Sequence, residues 1–110
     1  MPPHKHAYSP ITRQVARLLG QRIALARRER GWTVAELAER VGVTPPTIRN
    51  VERGDLGVAV GTVLEAAVVV GVPLVDESPS RRWHEARTVE ERLALLPQRV
   101  RRPRVVDDDF

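Results

Sequence analysis

The sequence contains no cysteine, which excludes disulfides, thiolate-ligated zinc sites and iron–sulfur clusters. Histidine is scarce as well: His4 and His6 form an H-x-H pair near the N-terminus and His84 stands alone. Neither arrangement has the spacing of a metal site, and the chain also lacks a glycine-rich phosphate loop and a nucleophile with an evident base. We therefore expect no cofactor, no metal and no enzymatic activity.

Long apolar runs are also missing. The longest, 66–70 with its flanks, is far shorter than the roughly 20 residues of a membrane span. The N-terminal MPPHKHAYSP has no apolar run of the kind found in signal peptides. Together with the absence of cysteine, these features indicate a cytoplasmic protein that has no membrane partner.

Acidic residues are few in the first half of the chain. Residues 1–57 hold ten Lys and Arg against five Asp and Glu, a balance of +5, and residues 58–110 hold eight against nine, a balance of −1. A basic half favours a polyanionic partner, because arginines near phosphates release condensed counterions, although a solvated basic surface gives the same count. With 110 residues, 42% of them hydrophobic, the chain can form one small core.

One segment, TVAELAERVGVTPPTIRNVERG, predicts two short helices joined by a tight turn. Thr33 and Glu36 form a T-x-x-E capping box, and Gly42 can take the positive φ that ends the first helix. Thr44 and Pro45 begin the second helix as N-cap and first helical residue. This is the pattern of a helix-turn-helix. The predicted inward residues are Val34, Leu37, Ala38, Val41, Ile48 and Val51, and the predicted outward residues of the second helix are Thr47, Arg49, Asn50 and Arg53.

From about Leu19 to Leu74 the sequence resembles the Cro/phage-repressor (Xre) type of helix-turn-helix. LGQRIALARRERGW is similar to the first helix of that family, AELAERVGV to the second, TPPTIRNVERG to the recognition helix and VGTVLEAAVVVGVPL to the fourth. The resemblance implies an all-α, five-helix domain with extra N-terminal residues and a C-terminal helix plus tail. The predicted parts are a mobile leader at 1–9, a DNA-binding domain at 10–75, a linker and C-terminal helix at 76–97, and an extended or disordered tail at 98–110.

The resemblance also implies roles for single residues. Arg27 and Glu52 would form an ion pair between the first and recognition helices, near a phosphate. The implied DNA-binding residues are Arg27, Thr33, Val34, Thr44, Pro45, Pro46, Thr47, Arg49, Asn50, Arg53, Gly57 and Val58. Two features depart from the family pattern, because Val34 replaces a frequent glutamine and the recognition helix begins with two prolines. Proline cannot donate a hydrogen bond, so we expect few direct hydrogen bonds between this helix and the bases.

The first long helix is predicted to start at Ser9 and Pro10 and to end near Gly31, with either a break or a continuous helix at Gly20. Its predicted apolar stripe is Ile11, Val15, Leu19, Ile23 and Ala26. Residues 61–70 are apolar nearly all round; their β-branched valines favour a strand, whereas the resemblance implies a helix. Trp32 and Trp83 are interpreted as packing residues.

Two more helical stretches are predicted at 81–86 and 89–96, with Thr88 and Glu91 as a second capping box and Pro97 as the end. An all-round apolar fourth helix needs a second surface to bury it, which another copy of the chain or the C-terminal helix would supply. We predict a homodimer, which would suit a palindromic operator with half-sites about 34–36 Å apart. The predicted interface residues are Val63, Ala67, Val70, Val89, Leu93 and Leu96.

Two further strings, VERGDLGVAVGTVLEAAVVVGVPL and LALLPQRVRRPRVVDDDF, resemble HipB-type antitoxins. These are small Xre-like autorepressors that partner HipA-type kinase toxins, so the resemblance implies a DNA-binding autorepressor that is also an antitoxin. The alternatives are a stand-alone Xre-type transcriptional regulator and, in a different class, a protein-interaction adaptor.

Overall fold

Five α-helices account for the regular secondary structure of the part of the chain that the computed structural model describes, which is residues 7–100 and 102. The helices are α1 (Pro10–Glu29), α2 (Val34–Val41), α3 (Pro45–Glu52), α4 (Val60–Val70) and α5 (Pro79–Ala94), and these residues contain no strand. The all-α, five-helix prediction is confirmed. His4, His6 and the last eight residues of the predicted tail, 103–110, lie outside the described residues.

The chain divides into two units, Met1–Leu74 and Val75–Phe110. In the first unit, α1 to α4 meet around one apolar core. Its buried residues are Ile23, Leu37, Ala38, Ile48, Val51, Ala66, Ala67, Val70 and Val72. Val34 and Val41 pack against this core, so every residue of α2 and α3 that was predicted to point inward does so. Burying a large aliphatic side chain contributes about 1.5–3 kcal/mol, and this packing fixes how α3 is presented.

Local chemistry defines the turn between α2 and α3. The Thr33 hydroxyl accepts a hydrogen bond from the Glu36 backbone N–H at 3.1 Å, which caps α2. Gly42 ends that helix with φ of 84°, a conformation that glycine adopts without steric cost. Thr44 is the N-cap of α3 but caps no N–H with its side chain; its hydroxyl instead lies 2.9 Å from that of Thr47. The two short helices and their turn are thus as predicted.

Of the two possibilities left open at Gly20, a break or a continuous helix, the second is correct: α1 runs unbroken through Gly20. Gly20 is buried, and a Cβ built there would lie 2.5 Å from the Val51 carbonyl oxygen and 2.6 Å from that of Glu52. Glycine in a helix interior costs about 1 kcal/mol relative to alanine. Here it allows the backbones of α1 and α3 to meet, so Gly20 marks a helix crossing rather than a helix break.

The predicted apolar stripe of α1 is wrong over its first two turns. Ile11 and Val15 are exposed, whereas Leu19, Ile23 and Ala26 belong to the core or pack against it. The reason is the length of α3: the backbone of Gly54, just past its end, lies against Ala16 and Arg17 of α1. Among the described residues, those of α1 before that point do not belong to the buried core.

The fourth element is a helix, as the resemblance implies, and Gly71 ends it with φ of 84°. Two residues of the predicted dimer interface, Ala67 and Val70, are buried in the core of their own chain, so their assignment to an interface is wrong. Because Ala66, Ala67 and Val70 are turned towards the core, a different side of α4 faces outward than the one predicted. That face carries Val60, Leu64 and Val68, of which Val60 is 72% and Val68 is 65% exposed. None of the described helices is long and apolar enough to cross a membrane.

In the second unit, α5 is one helix rather than two, so the second capping box is wrong. The Thr88 hydroxyl donates to the His84 carbonyl at 2.9 Å, as in a helix interior, and Glu91 pairs with Arg87 at 3.3 Å across one turn. Nothing between 81 and 94 breaks a helix, because neither glycine nor proline occurs there. Every described residue of α5 is exposed. Trp83 is 63% exposed, which contradicts its interpretation as a packing residue.

Candidate nucleic-acid interface

The exposed face of α3 is defined by what the helix buries on its other side. Ile48 and Val51 are in the core, which turns Arg49, Asn50 and Arg53 away from it. Arg49 and Arg53 are exposed and Asn50 is half-buried. The Arg53 guanidinium donates to the side-chain oxygen of Asn50. This contact orients the Asn50 amide.

A buried ion pair joins α3 to α1. Arg27 Nε donates to Glu52 Oε2 at 2.7 Å and Arg27 Nη2 donates to Glu52 Oε1 at 3.0 Å, a bidentate geometry. Arg27 Nη1 also donates to the Trp32 carbonyl at 2.7 Å. The hydrogen bonds to Glu52 raise the pKa of Arg27 despite the opposing effect of burial, so the guanidinium is charged at physiological pH. The predicted ion pair is present.

Arg27, one of the predicted DNA-binding residues, is buried and does not belong to the exposed face of α3 and α1. The residue is only 7% exposed and binds groups on both sides of α2 in the sequence, Trp32 before it and Glu52 after it. Trp32 in turn packs against the core, with the Arg40 guanidinium 4.1 Å from its ring centroid. Arg27 therefore holds the recognition helix in place.

The beginnings of α2 and α3 present different chemistry. Thr33 and Thr44 are exposed, so the first turn of each helix is accessible to a ligand. In α2 the early backbone N–H groups and the helix dipole favour an anion there. In α3 the first two positions are Pro45, half-buried, and Pro46, exposed, and neither has an N–H. Val34 is half-buried and packs against the core.

The side chain of Asp55 closes the turn that follows α3. The Asp55 carboxylate accepts from the Gly57 N–H at 2.7 Å, and the Asp55 N–H donates to the Asn50 carbonyl at 3.0 Å. Gly57 is exposed and Val58 packs against the core. Two of the predicted DNA-binding residues thus lie in a turn where the Gly57 N–H already has an acceptor.

Sequence reasoning missed the contribution of α1 to this surface. Gln21, Ala24, Leu25 and Arg28 of α1 form, together with Arg49, Glu52 and Arg53 of α3, an open groove of about 500 Å³. The contact of Gly20 with α3 sets this crossing, and a glycine inside a helix was the only signal for it in the sequence. No group of three or more His, Asp or Glu in the described ranges could hold a metal ion.

A short recognition helix that follows a tight turn and is held against a longer helix, with its polar side outward, defines a DNA-binding helix-turn-helix protein. Residues 18–78 match the family model described as a helix-turn-helix domain. This is more than half of the chain, and the protein belongs to that family. The match fits the Xre type at a coarse level and supports the class of DNA-binding regulators. No curated protein matches the chain significantly.

Proposed function

We propose that this protein is a sequence-specific transcriptional repressor that inserts α3 into the major groove of duplex DNA. The observation that carries the proposal is the outward face of α3, with Arg49, Asn50 and Arg53, held against α1 by the buried pair of Arg27 and Glu52. A helix positioned this rigidly, with arginines and an amide outward, can read base edges and bind phosphates.

In this proposal the residues have separate tasks. Asn50 pairs with an adenine through its amide, and Thr47 and Pro46 contact thymine methyl groups. Thr33 brings the start of α2 to a phosphate, Arg53 binds the DNA backbone while it orients Asn50, and Arg27 acts only through the position of α3. Because two prolines begin α3, few base edges are read directly, and operator shape contributes the rest of the specificity.

The test is a titration of the wild-type chain with the upstream region of its own gene and with a shuffled duplex of equal length and composition. We expect preference for the upstream region near the lower end of the usual range, about 10³-fold, because direct readout is thin. Measurements need one fixed salt concentration, since phosphate contacts alone change affinity strongly with salt. Equal affinity for the two duplexes would contradict sequence-specific repression.

A homodimer is part of the proposal, because two recognition helices would then meet successive major grooves of a palindromic operator. The surface that supports it differs from the predicted one on α4 but keeps the predicted residues of the second unit. Val60, Leu64 and Val68 of α4 form an exposed apolar row, and Val89, Leu93 and Leu96 in the second unit are also exposed. Such surface is unfavourable in water and is commonly buried by association.

Sedimentation at micromolar concentration is expected to give twice the chain mass of 12.3 kDa. The Leu64→Glu/Val68→Glu variant should sediment as a monomer, because burying two carboxylates without partners is strongly unfavourable. Ile11→Glu/Val15→Glu, which introduces the same two carboxylates at exposed aliphatic residues of α1, is the matched control and should remain dimeric. A monomeric wild type would refute the dimer and the palindromic operator with it.

A second candidate function, antitoxin of a HipA-type kinase, is favoured by the exposure of the whole of α5. An amphipathic helix that carries Trp83, Val89 and Leu93 on its surface suits a protein partner better than water. The resemblance of the C-terminal string to HipB-type antitoxins favours a HipA-type kinase as the partner. A stand-alone regulator, by contrast, would have no use for this surface beyond its own dimer.

Truncation after Leu96 leaves α5 whole and tests whether the tail that follows it binds a partner. If the tail serves a kinase partner, the truncated chain should still bind its promoter as a dimer but should fail to neutralise a co-expressed HipA-type kinase. Full neutralisation by the truncated chain, or loss of dimerisation and DNA binding together, would contradict a partner-binding tail. The tail residues 101 and 103–110 lie outside the described residues, so this prediction stands on the sequence alone.

A further inference from the structure

α1 begins before the family match. The helix starts at Pro10 and the matched residues start at 18, so residues 10–17, the N-terminal addition of α1, are eight helical residues that precede the match. This addition carries Arg13 and Arg17, both exposed. Its apolar residues contribute nothing to the buried core, so packing within the unit does not explain it.

The two arginines lie on the side of α1 that faces the recognition helix. Arg13, Arg17, Gln21, Ala24 and Arg28 recur every three or four residues and therefore share one face of the helix. The last three of them line the groove whose other wall carries Arg49 and Arg53 of α3. The basic face of α1 and the exposed face of α3 are thus continuous.

The register between the helices shows where the addition leads. Gly20 lies against Val51 and Glu52, and the end of α3 at Gly54 lies against Arg17. The helix before Arg17 therefore extends past the C-terminal end of α3. A rise of about 1.5 Å per residue puts Arg13 roughly 6 Å beyond Arg17, and one strand of duplex DNA carries a phosphate about every 3.4 Å along the axis.

Charge on this face is not compensated. Within the described part of the chain the ion pairs are Arg27–Glu52, Arg81–Asp76 and Arg87–Glu91. None of them engages Arg13, Arg17, Arg28 or Arg49. The nearest carboxylate of the groove, Glu52, is held by Arg27. A row of unpaired arginines continuous with a DNA-reading helix suits a phosphate chain, because a polyanion neutralises several of them at once.

We propose that Arg13 and Arg17 bind backbone phosphates beside the bases that α3 reads, so that the N-terminal addition of α1 lengthens the DNA contact beyond the helix-turn-helix. The inference rests on the proposed function, since it needs α3 in the groove. It also gives the addition a purpose that suits thin base readout: phosphate contacts raise affinity for every sequence and leave discrimination between sequences unchanged.

The test compares salt dependence rather than affinity alone. For Arg13→Ala/Arg17→Ala, the slope of log K against log salt on the upstream duplex should fall by about 1.8 in magnitude, or roughly 0.9 for each phosphate that the variant no longer neutralises. The ratio of affinities for the upstream and shuffled duplexes should not change. Arg13→Lys/Arg17→Lys, which keeps both charges, should retain the wild-type slope.

Arg22→Ala is the matched control, because Arg22 is exposed on the opposite side of the same helix and should leave the slope unchanged. Thermal melting of each variant establishes that it is folded. A double alanine variant with the wild-type slope, or a fall of about 0.9 in the slope of the single Arg22→Ala variant, would overturn the inference while leaving the proposed function intact. A wild type without preference for its upstream region would instead refute the proposed function itself.

Discussion

The Glu52→Ala variant is expected to lose about 3–5 kcal/mol of unfolding free energy, because it leaves a buried charge without its partner. Arg27 is 7% exposed and gives two of its hydrogen bonds to Glu52, so both donors would lose their acceptor. In a domain of this size each kcal/mol shifts Tm by roughly 4–8 °C, and a fall of more than about 10 °C should follow. Thermal unfolding followed by circular dichroism measures it.

Two further variants make this prediction specific to the ion pair. Glu39→Ala removes an exposed carboxylate of α2 and should change stability by no more than about 0.5 kcal/mol. Arg27→Met/Glu52→Leu replaces the pair with apolar side chains and should recover most of the loss, because no buried charge remains. This double variant should also keep its DNA affinity if Arg27 acts through position alone. A Glu52→Ala change as small as that of Glu39→Ala would show that the pair is not important for stability.

The helix-turn-helix itself was predictable because its signals are local. A capping threonine at 33, a glycine at 42 that takes positive φ and a proline at the start of α3 each act within a few residues. Their spacing fixes both helices and the turn before any tertiary contact forms. The inward residues of both helices followed from the same spacing.

The sequence could not predict which residues of α1 are buried, because this depends on where the helices cross. Arg27 and Arg28 are adjacent, yet the first is buried in an ion pair and the second lines an exposed groove. About 100° of helix rotation separates them, and only the position of α3 on α1 decides which one is covered. Gly20 marks that position, but a glycine within a helix is compatible equally with a break.

The same limit explains the errors on α1, α4 and α5. Periodicity identifies an apolar row such as Ile11 and Val15 but not whether anything lies opposite it. On α4, a nearly uniform apolar composition has no polar side to reveal which residues are buried, and the core took Ala67 and Val70 instead of Val60 and Val68. A capping box needs a preceding turn, and without one Thr88 bonds back to His84 within a continuous helix.

The Arg49→Ala/Asn50→Ala/Arg53→Ala variant is expected to lose both its preference for the upstream region and much of its affinity for any duplex. These three side chains are the outward polar groups of α3 beyond its first turn, so their removal leaves the Thr47 hydroxyl as the remaining outward donor of the recognition helix. None of them contributes to the core, and the variant should melt close to the wild type. Competition binding at one salt concentration, with upstream and shuffled duplexes, measures both losses.

Single variants then distinguish reading from positioning. Asn50→Ala should cost about 1–3 kcal/mol on the upstream duplex and relax one base preference, because the alanine side chain cannot form the bidentate hydrogen bonds with adenine. Asn50→Asp keeps an acceptor for the Arg53 guanidinium but removes the amide donor and adds a negative charge, so its loss of affinity should be at least as large. Arg53→Ala should weaken binding to every sequence and also disturb the adenine preference, since it frees the Asn50 amide to rotate. Equal affinities of the wild type and the triple variant for the upstream region would exclude α3 as the DNA-reading helix.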